Sequence, residues 1–288
     1  MTCLDYAMKI LITGTRCGIG NFLARHFGAA GHEVWGISRH PQVEFQRECA
    51  DRKIAFRYDC CDISDWTQMA AFRNRVAAAW PHLDVLICCA GIQGPIGPAM
   101  SLDPLEWSAS VRTNLDGTFY TIRACYELLR HASCRAKVIC FSGGGSSNTR
   151  PNFTPYASAK TGLIRLVENL AKEWTGQPID ICAIAPGGVN TRMTEEVLAL
   201  GPVIAGEREY ATAVKQKQNG GASLPRVAAM IEWIISPQGD GISGRLLSTP
   251  WDPWETLATR CQELEASDIY TLRRIIPEDR GKAWDGKG

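Results

Sequence analysis

The chain has 288 residues, of which 45% are hydrophobic and 21% charged, with a formal net charge of +1. Those proportions are those of an ordinary globular protein, one large α/β domain or two small ones, that needs no staples to hold a core. A nearly neutral chain with no apolar run approaching the ~20 residues of a membrane span is expected to have neither nucleic-acid nor membrane partners.

Apolar runs rich in β-formers alternate with longer amphipathic stretches. The pattern predicts a buried strand over Lys9–Thr13 and a helix over Gly20–Ala30, and between them lies Thr13-Gly14-Thr15-Arg16-Cys17-Gly18-Ile19-Gly20. In this T-G-x-x-x-G-x-G spacing, Gly14 permits a tight turn, Gly18 lets backbone approach a pyrophosphate, and Gly20 allows close helix–strand packing, with the helix N-terminus facing the anion. A strand over Glu33–Ser38 ends at Ser38 and Arg39. An acid there would bond the ribose hydroxyls of NAD. Arg39, joined by Arg16, instead attracts a 2′-phosphate, so NADP is the expected cofactor and NAD the alternative.

Ile54–Tyr58 is a third strand, and Ser64–Trp80 a helix with Ser64 as N-cap and Pro81 just past its end. Asp84–Cys89 is a fourth strand, and Pro104–Arg130 a long helical stretch. Lys137–Phe141 is a fifth strand, followed by the glycine run Gly143–Gly145. Pro155–Trp174 reads as a helix with Thr154 as N-cap and Pro155 at the first position. Ile179–Ala185 is a sixth strand, Pro225–Ile235 a helix, and Gly244–Leu247 a short last strand. Alternation of this kind implies a Rossmann-type, doubly wound parallel sheet flanked by helices, with its ligand beyond the carboxyl ends of the strands. Residues 1–248 are assigned to that domain, and 249–288 to a C-terminal extension packing on it or on a neighbouring subunit. Trp251, Trp254 and Trp284 suggest a tail that docks. The polar stretch Asn190–Gly221 is expected to be partly helical and to form a flap, with Arg192, Trp251 and Trp254 lining a substrate entrance.

The glycine turn resembles that of the short-chain dehydrogenase/reductase family, and further motifs fall in that family's order. Asp62-Ile63-Ser64-Asp65 looks like D-V-T-D, and Cys88-Cys89-Ala90-Gly91 stands where N-N-A-G is usual. Asn114 matches the helix asparagine, Tyr156-Ala157-Ser158-Ala159-Lys160 matches Y-x-x-x-K, and Pro186-Gly187-Gly188-Val189-Asn190-Thr191 matches P-G-x-V-x-T. The resemblance implies a hydride transfer between NADP(H) and a small carbonyl or alcohol substrate. It also implies a homodimer or homotetramer through the long helices. It assigns cofactor contacts to Gly14, Thr15, Arg16, Cys17, Gly18, Ile19, Gly20, Ser38, Arg39, Asp62, Ile63, Cys89, Ala90, Gly91, Tyr156, Lys160, Pro186, Gly187, Val189 and Thr191.

Tyr156 and Lys160, four apart, share one helix face. An ammonium beside a phenol favours the phenolate, so Lys160 is expected to lower the tyrosine's pKa. Tyr156 is then expected to serve as general acid/base, and the resemblance implies that Lys160 also holds the nicotinamide ribose and that Asn114 holds a water on a proton relay through Lys160. Two departures stand out. The family's serine, 13 residues before the tyrosine, is Gly143 here, and Ser142 is the expected substitute, with a backbone N–H of the glycine run as the alternative. Cys88 and Cys89 replace the asparagines, and a thiol is a weak donor. The missing serine supports a second reading, a catalytically impaired NADP-binding sensor or scaffold. Epimerisation or dehydration is disfavoured by the turn spacing. Of the 12 cysteines, none forms a C-x-x-C pair, so no metal site is expected. Met1 to Lys9 reads as too short and polar for a signal peptide, and a cytoplasmic location with reduced thiols is expected.

Overall fold

A computed structural model of the chain describes residues 7–282 and Trp284. The expectation for Met1 to Lys9 therefore falls largely outside the described residues. Seven strands form one parallel sheet in the order β3-β2-β1-β4-β5-β6-β7. They are β1 (Lys9–Thr13), β2 (Glu33–Ser38), β3 (Phe56–Cys60), β4 (Val85–Cys88), β5 (Ala136–Phe141), β6 (Ile179–Ala185) and β7 (Leu246–Ser248). The order reverses between β1 and β4, which opens a crevice at the strand ends where α/β sheets bind ligands.

Side chains alternate across each strand, so the sheet buries two different cores. On one face Leu11, Leu86, Val138 and Ile181 pack against α3 (Trp66–Ala79), α5 (Gly117–Arg130) and α6 (Thr154–Glu173). On the other, Ile10, Ile87, Ile139 and Ile184 meet α1 (Gly18–Ala29) and α9 (Leu224–Ile235). Burial on both faces explains why the strands read as continuous apolar runs rather than as alternating ones. No helix among the described residues is long and apolar enough to cross a membrane.

Several boundaries differ from the sequence reading, each for a local reason. The helix α2 (Val43–Asp51) was not anticipated; only Phe45 and Cys49 of it are buried, too few for a clear periodic signal. The cap of α3 is Asp65, not Ser64: the Asp65 carboxylate accepts the N–H groups of Thr67 and Gln68, while the Ser64 hydroxyl donates to Asp62. Thr154 lies inside α6 rather than capping it, and its hydroxyl accepts the Trp107 indole N–H at 3.1 Å. The long stretch Pro104–Arg130 is α4 (Pro104–Val111), a π turn over Arg112–Asp116, and α5.

The Asn190–Gly221 stretch holds α7 (Arg192–Ala205) and α8 (Glu207–Gln218), with α7 broken at Gly201, where φ is +73°. Beyond β7, Trp254, Leu257 and Leu264 are buried in the second core, and α10 (Cys261–Glu265) follows. The buried Arg245 donates to the carbonyls of Leu264, Ser267 and Ile269, and Leu246 N–H donates to Tyr270 O. Docking thus runs through Trp254 alone of the three tail tryptophans; Trp251 is 84% exposed and Trp284 66%.

Candidate active site

The glycine turn is shaped by close approaches that side chains would block. Gly14 has φ +79°, a region that favours glycine, and a Cβ there would lie 2.8 Å from the Cα of Ala90. A Cβ on Gly20 would lie 2.5 Å from Gly14 O, so the first turn of α1 sits directly on the loop. The Thr13 hydroxyl accepts the N–H groups of both Cys89 and Ala90 at 3.0 Å, tying the turn to the end of β4. A Cβ on Gly18 would lie 3.3 Å from the Thr191 methyl, which brings in the segment after β6. Cys17, the N-cap of α1, makes no side-chain cap bond, so the first N–H groups of the helix carry no side-chain acceptor. That is the arrangement a pyrophosphate fits.

At the end of β2 the Ser38 hydroxyl donates to His40 O, and Arg39 is exposed, as is Arg16 in the turn. Gln42 joins these parts and was missed by the sequence reading, because α2 was missed with it. Its amide donates to the Thr15 hydroxyl at 2.8 Å and to Ser38 Oγ at 3.3 Å, while its buried Oε1 has no partner. Asp62 accepts both the N–H and the hydroxyl of Ser64, and Ile63 is buried beside Gly117.

The residues matched to the family's catalytic group come together below this cradle. Asn114 sits in the π turn, fully buried, and π turns inside helices often mark functional sites. Its amide donates to Ile92 O and Ser110 O, and its Oδ1 accepts Ile92 N–H. A Cβ on Gly91 would lie 2.7 Å from Asn114 Oδ1 and 3.6 Å from Lys160 Nζ, so Gly91 is where the two side chains meet. Lys160 Nζ donates to Phe141 O at 2.7 Å and stands 5.7 Å from the Tyr156 ring centre. Burial pulls the Lys160 ammonium down to about 8, against the opposing influence of the Cys89, Cys140 and Cys88 thiols.

The expectation that Lys160 lowers the Tyr156 pKa is corrected by this geometry. The phenol is raised above its ordinary value: burial dominates, Arg150 pulls the other way, and Cys89 adds to the rise. The Lys160 ammonium, 5.7 Å from the ring centre, donates to Phe141 O, and burial outweighs the charges around the phenol. Burial therefore favours the protonated form of Tyr156.

Gly143 is the residue that borders the phenol. A Cβ there would fall 2.3 Å from Tyr156 Oη, so the hydroxyl fills the space a side chain at 143 would take. The Ser142 Oγ is buried without a partner, and its N–H is spent on Ile184 O. A second residue missed by the sequence reading is Arg150, whose guanidinium lies 3.8 Å from the Phe153 ring centre and 5.7 Å from that of Tyr156. No family motif includes it, so nothing in the linear pattern singled it out.

After β6, the Pro186-Gly187-Gly188-Val189 segment is stitched to α7, α8 and the loop that follows them. Gly188 O accepts Ala222 N–H at 2.8 Å, Val189 O accepts the Thr194 hydroxyl, and Gln216 on α8 donates to that hydroxyl at 2.8 Å. A cavity of about 340 Å³ opens beside it, bounded by Phe22, Val189, Asn190 and the Asn219–Pro225 loop. Arg192 pairs with Glu196 on the exposed side of α7. Trp254, expected at a substrate entrance, instead packs on Trp233 in the core with ring centres 6.0 Å apart.

Residues 8–199 match the family profile described as short chain dehydrogenase. The chain is similar to a short chain dehydrogenase of Monascus purpureus, 24% identical over 282 residues, covering 95% of this chain and 91% of that one. It is similar to the 2-dehydro-3-deoxy-D-gluconate 5-dehydrogenase of Pseudoalteromonas atlantica, 31% identical over 193 residues, or 64% of this chain and 73% of the relative. A gluconate 5-dehydrogenase from Burkholderia cenocepacia, solved in complex with NADP and tartrate, has a similar fold: TM-score 0.73, 24% identity, covering 85% of this chain and 94% of that one.

Proposed function

Since this chain belongs to the short chain dehydrogenase family of oxidoreductases, we propose that it transfers hydride between NADP(H) and a carbonyl or alcohol, with Tyr156 as the general acid/base. The observation that carries the reading is the meeting of Asn114, from the π turn, with Lys160, on the α6 face it shares with Tyr156, at Gly91. A bound nicotinamide supplies the hydride. The turn Gly14–Gly20 and the α1 N-terminus would hold its pyrophosphate, Ser38, Arg39 and Arg16 its 2′-phosphate side, and Asp62 and Ile63 its adenine. Cys89–Gly91, Lys160 and the Pro186–Thr191 segment would hold the ribose and ring.

In reduction, the protonated Tyr156 gives its hydroxyl proton to the carbonyl oxygen; in oxidation, its phenolate takes the alcohol proton. Burial keeps the phenol in the protonated form that donation requires, while making it a weaker acid. Lys160 stands behind it, and with a pKa near 8 it exchanges protons readily near neutral pH. Asn114 holds the Ile92 backbone and orients the same corner.

The absence of a serine at 143, with Ser142 Oγ buried away from any partner, favours a second reading as a non-catalytic NADP-binding sensor. A panel of ketones, aldehydes and alcohols assayed with NADPH, NADP⁺, NADH and NAD⁺ separates the two. Turnover that prefers the phosphorylated cofactor is expected. Tight NADPH binding with no turnover on any member would establish the sensor instead.

A further inference from the structure

We propose that Arg150 is a positioning residue for the reaction read above: a fixed cation beside Tyr156 that also joins the α7–α8 flap to the catalytic helix α6. The inference rests on the functional reading for its kinetic consequence but not for its geometry. Arg150, Phe153 and Tyr156 follow one another at intervals of three residues along the entry to α6. The Arg150 guanidinium lies over the Phe153 ring at 3.8 Å and is 5.7 Å from the Tyr156 ring centre. Its Nε donates to Glu209 Oε2 on α8 at 2.9 Å, in a pair only 16% and 25% exposed.

The glycine run makes room for this side chain. A Cβ on Gly145 would lie 3.0 Å from Arg150 Cβ, and one on Gly144 would lie 3.8 Å from its Nε. Phe153 is fully buried in a small core with Val197, Ala205 and Ala213 of the flap helices. Residues 150–153 are thus the joint between flap and reacting centre, and Arg150 places a charge at that joint. A guanidinium suits the place, because it is weakly hydrated and stacks on aromatic rings while bonding a carboxylate.

The charged and titratable groups facing Tyr156 are Arg150, Lys160 and Cys89, and Glu209 faces Arg150 from α8. Lys160 is bonded to Phe141 O, and position 143 offers no hydroxyl. Arg150 is the group that opposes burial at the phenol. A fixed charge therefore does part of what a hydrogen bond from a serine would do.

The test uses Arg150→Gln and Arg150→Lys in the full chain. In alcohol oxidation, R150Q should move the acid limb of the kcat/KM profile to higher pH, lowering the rate on that limb about tenfold. NADPH affinity should stay unchanged, and R150K, which keeps the charge but not the stacking, should restore the limb only in part. A loss of rate equal at every pH, with no movement of the limb in R150Q, overturns the proposal. If the wild-type chain turns over no substrate, the functional reading fails separately. The proposal is then read from ¹³C-labelled tyrosine by NMR, with Y156F assigning the Tyr156 signal. That signal should titrate at higher pH in R150Q than in wild type, and identical titrations overturn it.

Discussion

Replacing Lys160 with methionine should reveal how much folding free energy the buried ammonium costs. Lys160 is 4% exposed, and burial lowers its pKa from 10.5 to about 8. The folded state thus disfavours the charged form relative to the unfolded chain. The sign follows: well above 10.5 both states are neutral and nothing is lost, whereas below about 8 both are charged and the full penalty stands. Linkage makes that penalty roughly 3 kcal/mol near pH 7 and roughly 1 kcal/mol near pH 10. The methionine variant also strips Phe141 O of its donor, at a cost of about 1–3 kcal/mol that depends little on pH. The informative quantity is therefore the change with pH. Urea unfolding of wild type and K160M across this range should show the variant losing about 2–3 kcal/mol of relative stability between pH 7 and pH 10. A stability difference flat in pH would refute the argument that Lys160 is held charged against desolvation. The same variant should be inactive, which would make Lys160 a residue kept for function at the expense of stability.

Two further outcomes follow from the site. Arg39→Ala should weaken NADPH binding by about tenfold or more, the scale of one charge-assisted phosphate contact, and leave NADH binding unchanged; fluorescence titration with both cofactors checks this, and equal losses would remove Arg39 from the 2′-phosphate site. Gly143→Ser, which restores the family's residue, should lower turnover rather than raise it, because the new Cβ falls 2.3 Å from Tyr156 Oη and must displace the phenol; steady-state kcat of G143S decides, and a faster enzyme would show that the phenol gives way without cost.

Legibility in the sequence followed the strength of the local signal. The strands β1, β2 and β6 match their expected bounds, because each is a run of apolar residues between clear turn residues. The short helix α2 buries two residues and escaped notice, and Gln42 escaped with it. Capping at Ser64 and Thr154 was misassigned because a hydroxyl in sequence does not reveal a nearer competitor: Asp62 took the first, and the Trp107 indole the second. The convergence of Asn114, Lys160 and Tyr156 was legible only through motif order, since they lie on two helices separated by β5. The balance of forces on Tyr156 was not legible. Sequence spacing places an ammonium on the same face, but only coordinates show it bonded to Phe141 O and the phenol ruled by burial.

Hydride transfer in a single turnover by Tyr156→Phe, with NADPH and any carbonyl that the wild type reduces, bears most directly on the proposed chemistry. NADPH should still bind with wild-type affinity, and the transfer rate should fall by about 10²–10⁴-fold, the usual contribution of a positioned proton donor. A phenylalanine variant that reduces the carbonyl as fast as the wild type would contradict it.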